Sequence, residues 1–90
     1  MNPIERMKRA IYEERYRITA HANEEMADDD LLVIDIEHII NTGKIVQKLT
    51  QDSRGRRYVI LGNSTDNRPA YVVCRFMLSG NLLIITAYAE

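Results

Sequence analysis

Residues 57–89, RYVILGNSTDNRPAYVVCRFMLSGNLLIITAYA, decide the fold. Three apolar runs stand in them: Arg57–Gly62, Ala70–Leu78 and Leu82–Ala89. Each is rich in β-branched and aromatic residues and is bounded by turn formers, so each reads as a strand. Asn63–Pro69 is a polar loop, and Ser79-Gly80-Asn81 is a hairpin signal. One step upstream, Lys44–Thr50 alternates as a further strand, and Gln51-Asp52-Ser53-Arg54-Gly55 makes the turn that follows it. Four strands in succession with short links favour antiparallel neighbours.

Working back from Lys44, the period changes from 2 to 3.6. Gly43 is a C-terminal stop for a short helix through Asn41, with Asp35 as its expected cap and Ile36, Ile39 and Ile40 as its buried face. Thr19 caps a helix over Ala20–Ala27, with Ala22 and Met26 on one side. Negative charge at Asp28, Asp29 and Asp30 opposes the macrodipole and ends it. Residues 3–16 read as a first helix, with Pro3 in its opening turn and Ile4, Met7 and Ile11 on one face. Arg17–Thr19 looks extended. The sum is a single α+β domain over 1–90, with two or three N-terminal helices on one face of a four-stranded, mainly antiparallel sheet. The other sheet face is partly open, and basic side chains of the C-terminal half lie on it or on its rims.

The composition fits that picture. The 90 residues are 46% hydrophobic and 28% charged, which excludes a wholly disordered chain. No apolar run approaches the roughly 18 residues that span a bilayer. Cys74 is the single cysteine, so no internal disulfide and no zinc site of paired cysteines is expected. A reducing compartment, most simply the cytoplasm, follows as the expectation. No cofactor is called for, since the chain has no Gly-rich phosphate loop, no HExxH and no CxxC. Net charge is −1, yet its distribution is lopsided. Residues 1–43 carry ten acidic and five basic groups, and residues 44–90 carry three and seven. A basic half suits a polyanion such as RNA; two halves that neutralise each other suit no ligand at all.

Several residues carry candidate chemistry. His21 opens the second helix with an imidazole, the side chain that takes and gives a proton near neutrality. Glu25, one turn later, can orient it. A helix-terminal histidine that satisfies neighbouring backbone groups is the competing reading. Arg54, Arg56, Arg57 and Tyr58 gather guanidinium forks and a ring at a turn-to-strand junction. If Arg56 and Arg57 are both in the strand they face opposite ways, so only one lines a given groove. Arg75 interrupts an apolar strand, which requires a carboxylate partner or access to water. Thr86 and Tyr88 share a face of the last strand, although such residues are also common in strands on propensity alone. Lys48 and Arg68 add positive charge to the same half. Cys74 reads as a small core residue and His38 as a helix residue without a role in chemistry.

Two stretches carry a family resemblance. Ile18-Thr19-Ala20-His21-Ala22, with Glu25-Met26, resembles the "His-Ala-x-x-(Arg/Glu)-Met" helix of a small prokaryotic family. Ile39–Val46 is similar to its "Ile-Ile-x-x-Gly-Lys-Ile-Val" continuation. The strands Arg57–Gly62, Tyr71–Val73 and Ile84–Tyr88 also look like BrnT-type toxins, of the RelE/ParE-like group that includes MqsR. The resemblance spans about residues 17–89. It implies a RelE-like, microbial-ribonuclease-type fold and the toxin of a type II toxin–antitoxin system that cleaves mRNA and inhibits translation. No metal is implied, because the RNA 2′-OH attacks the adjacent phosphorus. By the resemblance, His21 is the acid or base and Arg57 (or Arg56) and Arg75 meet phosphate charge. Tyr88 or Thr86 positions the substrate. Lys48, Arg54, Arg56, Tyr58, Arg68 and Thr86 would bind RNA. An antitoxin of zinc-finger or helix-turn-helix type is the implied partner. BrnT-like chains finish on an Arg-rich tail, whereas this sequence reads Ala87-Tyr88-Ala89-Glu90. A second expectation, from a different class, is a non-catalytic module that holds a protein partner or homodimerises through an exposed sheet edge.

Overall fold

The structure, a computed structural model, describes residues 1–51, 53 and 55–90. The chain runs α1 (Pro3–Tyr12), β1 (Tyr16–Ile18), α2 (Ala20–Asp28), α3 (Val33–Thr42), β2 (Lys44–Leu49), β3 (Arg57–Asn63), β4 (Pro69–Phe76) and β5 (Leu82–Ala89). The five strands form one sheet in the order β1-β5-β4-β3-β2. β1 is parallel to β5, and every other pair is antiparallel. The α+β class and the three helices agree with the sequence, but the sheet has five strands and is mixed. The extra strand is the extended segment at Arg17. Three residues are too few to display a period of two, so only its pairing with Leu82–Ile84 identifies it.

Helix boundaries follow local chemistry. Asn2 caps α1 by accepting the Glu5 N–H at 2.9 Å, and Pro3 costs nothing in the first turn. α1 stops four residues earlier than its periodicity suggests. Glu14 takes a left-handed φ of 57°, and the Arg15 N–H returns to the Ala10 carbonyl at 2.8 Å. α2 ends in the same way, with Asp30 at φ 54° and the Leu31 N–H on the Met26 carbonyl at 2.8 Å. Thr19 caps α2 as expected, accepting from Ala22 N–H at 3.1 Å. Asp35 does not cap α3. That helix opens three residues earlier, with Leu32 as N-cap, and Asp35 reaches back from its third position to accept the Leu32 N–H at 2.8 Å.

All three helices pack on one face of the sheet. Met7, Ala10 and Ile11 of α1, Ala22 and Met26 of α2, and Ile36, Ile39 and Ile40 of α3 meet the inward residues of β3, β4 and β5. Those inward positions are Tyr58 and Ile60, then Ala70, Val72 and Cys74, then Leu82, Ile84 and Ala87. Cys74 is fully buried against the Met7 sulfur at 4.0 Å, and burial pushes its thiol up to about 12. It is an inert core residue. Tyr16 joins β1 to α3 by donating to Glu37 at 2.7 Å; burial, then this contact, raises its pKa to about 12. Among the described residues, no helix is long and apolar enough to cross a membrane.

Candidate functional site

The opposite sheet face carries no helix, and its residues follow from the register. Cross-strand partners share a face, so the outward positions fall into transverse rows. Arg17 pairs with Leu83, and Leu83 pairs with Arg75. Continuing the β3–β4 register past Tyr58 and Cys74 brings Arg57 opposite Arg75, and Leu49 pairs with Arg57. The first row is therefore Arg17, Leu83, Arg75, Arg57 and Leu49. The second is Thr86, Val73, Val59 and Gln47. The third is Tyr88, Tyr71, Leu61 and Lys44.

Two properties of this face bear on chemistry. No described strand residue is acidic, so every formal charge borne by the sheet itself is positive. Among the described residues no carboxylate forms an ion pair with Arg75 or Arg17. The tyrosines of the third row stack on each other, with ring centroids 5.3 Å apart and planes 28° apart. Arg17 belongs to the row although sequence reasoning passed over it. Its signal was there: a charged residue between Tyr16 and Ile18, both of which face the core.

His21 stands at the margin of this face. α2 runs beside the part of β5 that extends beyond β1. Two carboxylates one helical turn apart cover alternate N–H groups of that edge: Glu25 takes Ala87 at 3.2 Å and Asp29 takes Ala89 at 2.8 Å. Glu25 Oε1 also lies 3.3 Å from His21 Nε2, and the His21 side chain is 65% exposed. Glu25 therefore holds the sheet edge as well as the imidazole. The contacts of α2 run from Thr19 at Ile84 and Ile85 to Glu25 at Ala87, so His21 lies beside the Ile85–Ala87 stretch of that edge. The arginine row crosses β5 at Leu83, three residues from Thr86 and roughly 10 Å away along the strand. The structure thus brings Arg75 and Arg57 together, puts Thr86 and Tyr88 further along the same face, and pairs His21 with Glu25 at the edge of β5.

The remaining expected site residues divide. Tyr58 is not available to RNA. It is 6% exposed, faces the helices and packs edge-to-face on Phe76 at 6.3 Å. Parity fixes this: with Arg57 outward, its neighbour points inward. Arg68 is a structural clamp. Its guanidinium donates to the Asp29 carbonyl at 2.7 Å, the Asp30 carbonyl at 2.9 Å and the Asp66 carboxylate at 2.9 Å. This locks the β3–β4 loop onto the C-terminus of α2, where a cation also suits the helix dipole. Lys48 lies opposite Tyr58, so it falls on the helix side of edge strand β2. Together with Leu49, Thr50, Gln51, Ser53 and Arg57 it lines a shallow depression at the β2–β3 turn. Arg56 precedes β3 and is exposed. Arg54 lies outside the described residues. His38 donates from Nδ1 to the Asn63 carbonyl, 2.7 Å away, and so pins α3 to the end of β3. Among the described residues, no three of His, Cys, Asp and Glu stand together as a set that could hold a metal ion.

Comparison with the curated proteins and with the solved structures finds no match. A family model described as Domain of unknown function (DUF4258) does match, over residues 18–89, from the last residue of β1 through β5. That span takes in α2, α3 and β2 to β5, with both edge-holding carboxylates and His21, and the chain belongs to this family.

Proposed function

We propose that the open sheet face is an RNA-binding surface and that the chain is the toxin of a type II toxin–antitoxin pair, a metal-independent mRNA endoribonuclease acting in the cytoplasm. The observation that supports this reading most is the row Arg17, Arg75 and Arg57 on a helix-free face whose strands carry no acid. Guanidinium forks match phosphate oxygens, and among the described residues no carboxylate is paired with Arg17 or Arg75. The resemblance to BrnT-type toxins supports the same class.

Cleavage then proceeds through the RNA itself. The 2′-OH attacks the adjacent phosphorus, and the bond to the 5′ oxygen breaks, leaving a 2′,3′-cyclic phosphate and a 5′-OH. One group removes the 2′ proton and one supplies a proton to the leaving oxygen. His21, steadied by Glu25, serves at one of these steps. Tyr88 and Thr86, on the open face of β5, position the substrate. Arg75 and Arg57 hold phosphate charge further along the strand. A cognate antitoxin of zinc-finger or helix-turn-helix type would silence the enzyme by covering this face.

The test is induction of the wild type, His21→Ala and Arg75→Ala in cells, followed by growth and RNA integrity. The wild type is expected to arrest growth and fragment RNA, and His21→Ala to cut at least about 100-fold more slowly. A harmless wild type that leaves RNA intact removes the catalytic reading.

One observation favours a second reading, a non-catalytic module that binds a protein partner or itself. Leu32, Val33 and Ile34 are consecutive and exposed where α3 begins. That reading expects tight association with no dependence on His21, and a lone monomer in light scattering would argue against self-pairing.

A further inference from the structure

We infer that the stacked pair Tyr71 and Tyr88 is a nucleobase platform, which commits the open face to single-stranded RNA. This rests on the RNA reading above and names the form of RNA the face takes. The two rings are direct cross-strand partners on β4 and β5 and sit on the side of the sheet away from all three helices. Both residues are only half-buried. Their row continues through Leu61 to Lys44, so an apolar shelf ends in a cation.

Spacing ties this shelf to the arginines. Tyr71 and Arg75 lie four residues apart on β4, roughly 13 Å along the strand. That is a reach of about two nucleotides in an extended strand, so a base laid on the tyrosines and a phosphate held by Arg75 belong to one short segment. Between them lie Val73, Val59 and Thr86, which carry no charge and raise no barrier to the backbone. Aromatic rings accept any base, because every base has a π-face, but only an unpaired strand can present one. In a duplex those faces are covered by neighbouring base pairs. A cross-strand tyrosine pair can also exist purely to stabilise a sheet. The experiment separates the two roles.

The experiment measures binding of a fluorescein-labelled 2′-O-methyl RNA octamer, which 2′-OH attack cannot cleave, by fluorescence anisotropy. An octamer with abasic central positions and an RNA hairpin of equal charge are run beside it. Tyr71→Ala is expected to weaken octamer binding about 10-fold, with Tyr71→Phe close to wild type. The wild type should lose a similar factor on the abasic strand, whereas Tyr71→Ala should not distinguish the two strands. Thermal unfolding of each variant checks that the domain remains folded, and the abasic comparison needs no variant. Equal affinity of the wild type for the intact octamer, the abasic strand and the hairpin overturns the platform. If Arg75→Ala still weakens binding in that case, phosphate recognition by the face stands without it. Absence of any RNA binding by the wild type overturns the RNA reading and the platform together.

Discussion

Gly62→Ala is expected to unfold the domain or to lower its thermal midpoint by more than about 15 °C. A Cβ on Gly62 would lie 2.1 Å from the Ile39 carbonyl oxygen and 2.9 Å from its carbon. Both are backbone atoms of α3 and cannot rotate away. Gly62 has no left-handed φ, so the glycine is there for space alone. Gly43, next to it, is equally constrained, with the same oxygen 2.5 Å from its Cβ position. The two glycines let the last turn of α3 rest directly on β3, and Ile36, Ile39 and Ile40 reach the core only from that height. Separating the layers costs about 4 kcal/mol or more, against a total of about 5–13 kcal/mol for a 90-residue domain. For a domain of this size each kcal/mol moves the midpoint by about 4–8 °C. Gly80→Ala provides the scale. Its φ of 90° makes a side chain strained, yet nothing lies within 4 Å, and a loss of only about 1–2 kcal/mol is expected. Differential scanning calorimetry of the two variants checks both values, and a Gly62→Ala midpoint within a few degrees of wild type would mean the layers are not held at that separation.

Asp35→Ala is expected to cost about 3 kcal/mol, and its effect depends on pH. The carboxylate is 4% exposed and accepts three hydrogen bonds. Leu32 N–H lies 2.8 Å from one oxygen, and Thr65 N–H and Oγ lie 2.8 and 2.6 Å from the other. It thus joins the start of α3 to the β3–β4 loop, and alanine leaves those donors without an acceptor. Burial by itself would raise the Asp35 pKa. The hydrogen bonds from Thr65 and Leu32, with the Arg68 charge behind them, outweigh it and hold the carboxyl below its ordinary value of 3.8. A depressed folded pKa stabilises the native state above the unfolded value. That contribution is lost as pH falls from about 4 through the lower folded pKa. Asp35→Asn keeps the shape but has a single acceptor oxygen, so it should fall between alanine and wild type and lose this part of the acid dependence. Chemical denaturation at pH 7 and pH 3 measures both effects. An Asp35→Asn protein as stable and as acid-sensitive as the wild type would show that the carboxylate is not the joint.

The parts legible in the sequence are those written in local pattern. β3, β4 and β5 lie within two residues of the runs that announce them, because turn residues bracket each one. Thr19 is readable as a cap because capping is a contact three residues long. Other roles depend on partners distant in the chain. Arg68 reads as a free cation because the carbonyls it clamps lie 38 and 39 positions upstream. Glu25 reads as a helper of His21, and its hold on Ala87 spans 62 positions. Asp35 resembles an N-cap, since a carboxylate at the third helical position and one at the cap look alike when Leu32 offers no acceptor of its own. For the candidate site, what local pattern left unread was parity. Alternation about Arg57 and Arg75 already separates Tyr58 from Tyr71, one inward and one outward, and the β5 bulge between Ile84 and Thr86 carries Thr86 and Tyr88 onto the arginine side.

The open sheet face as the place where RNA lies is tested most directly by titrating isotopically labelled protein with the uncleavable RNA octamer and following the backbone amide resonances. The expected result is a set of shifts in β1, β3, β4 and β5 around Arg17, Arg57, Tyr71, Arg75 and Tyr88 and at the start of α2 around His21, weakening as salt rises, with α1 unmoved. Shifts concentrated on α1 and α3, or none at low salt, would contradict it.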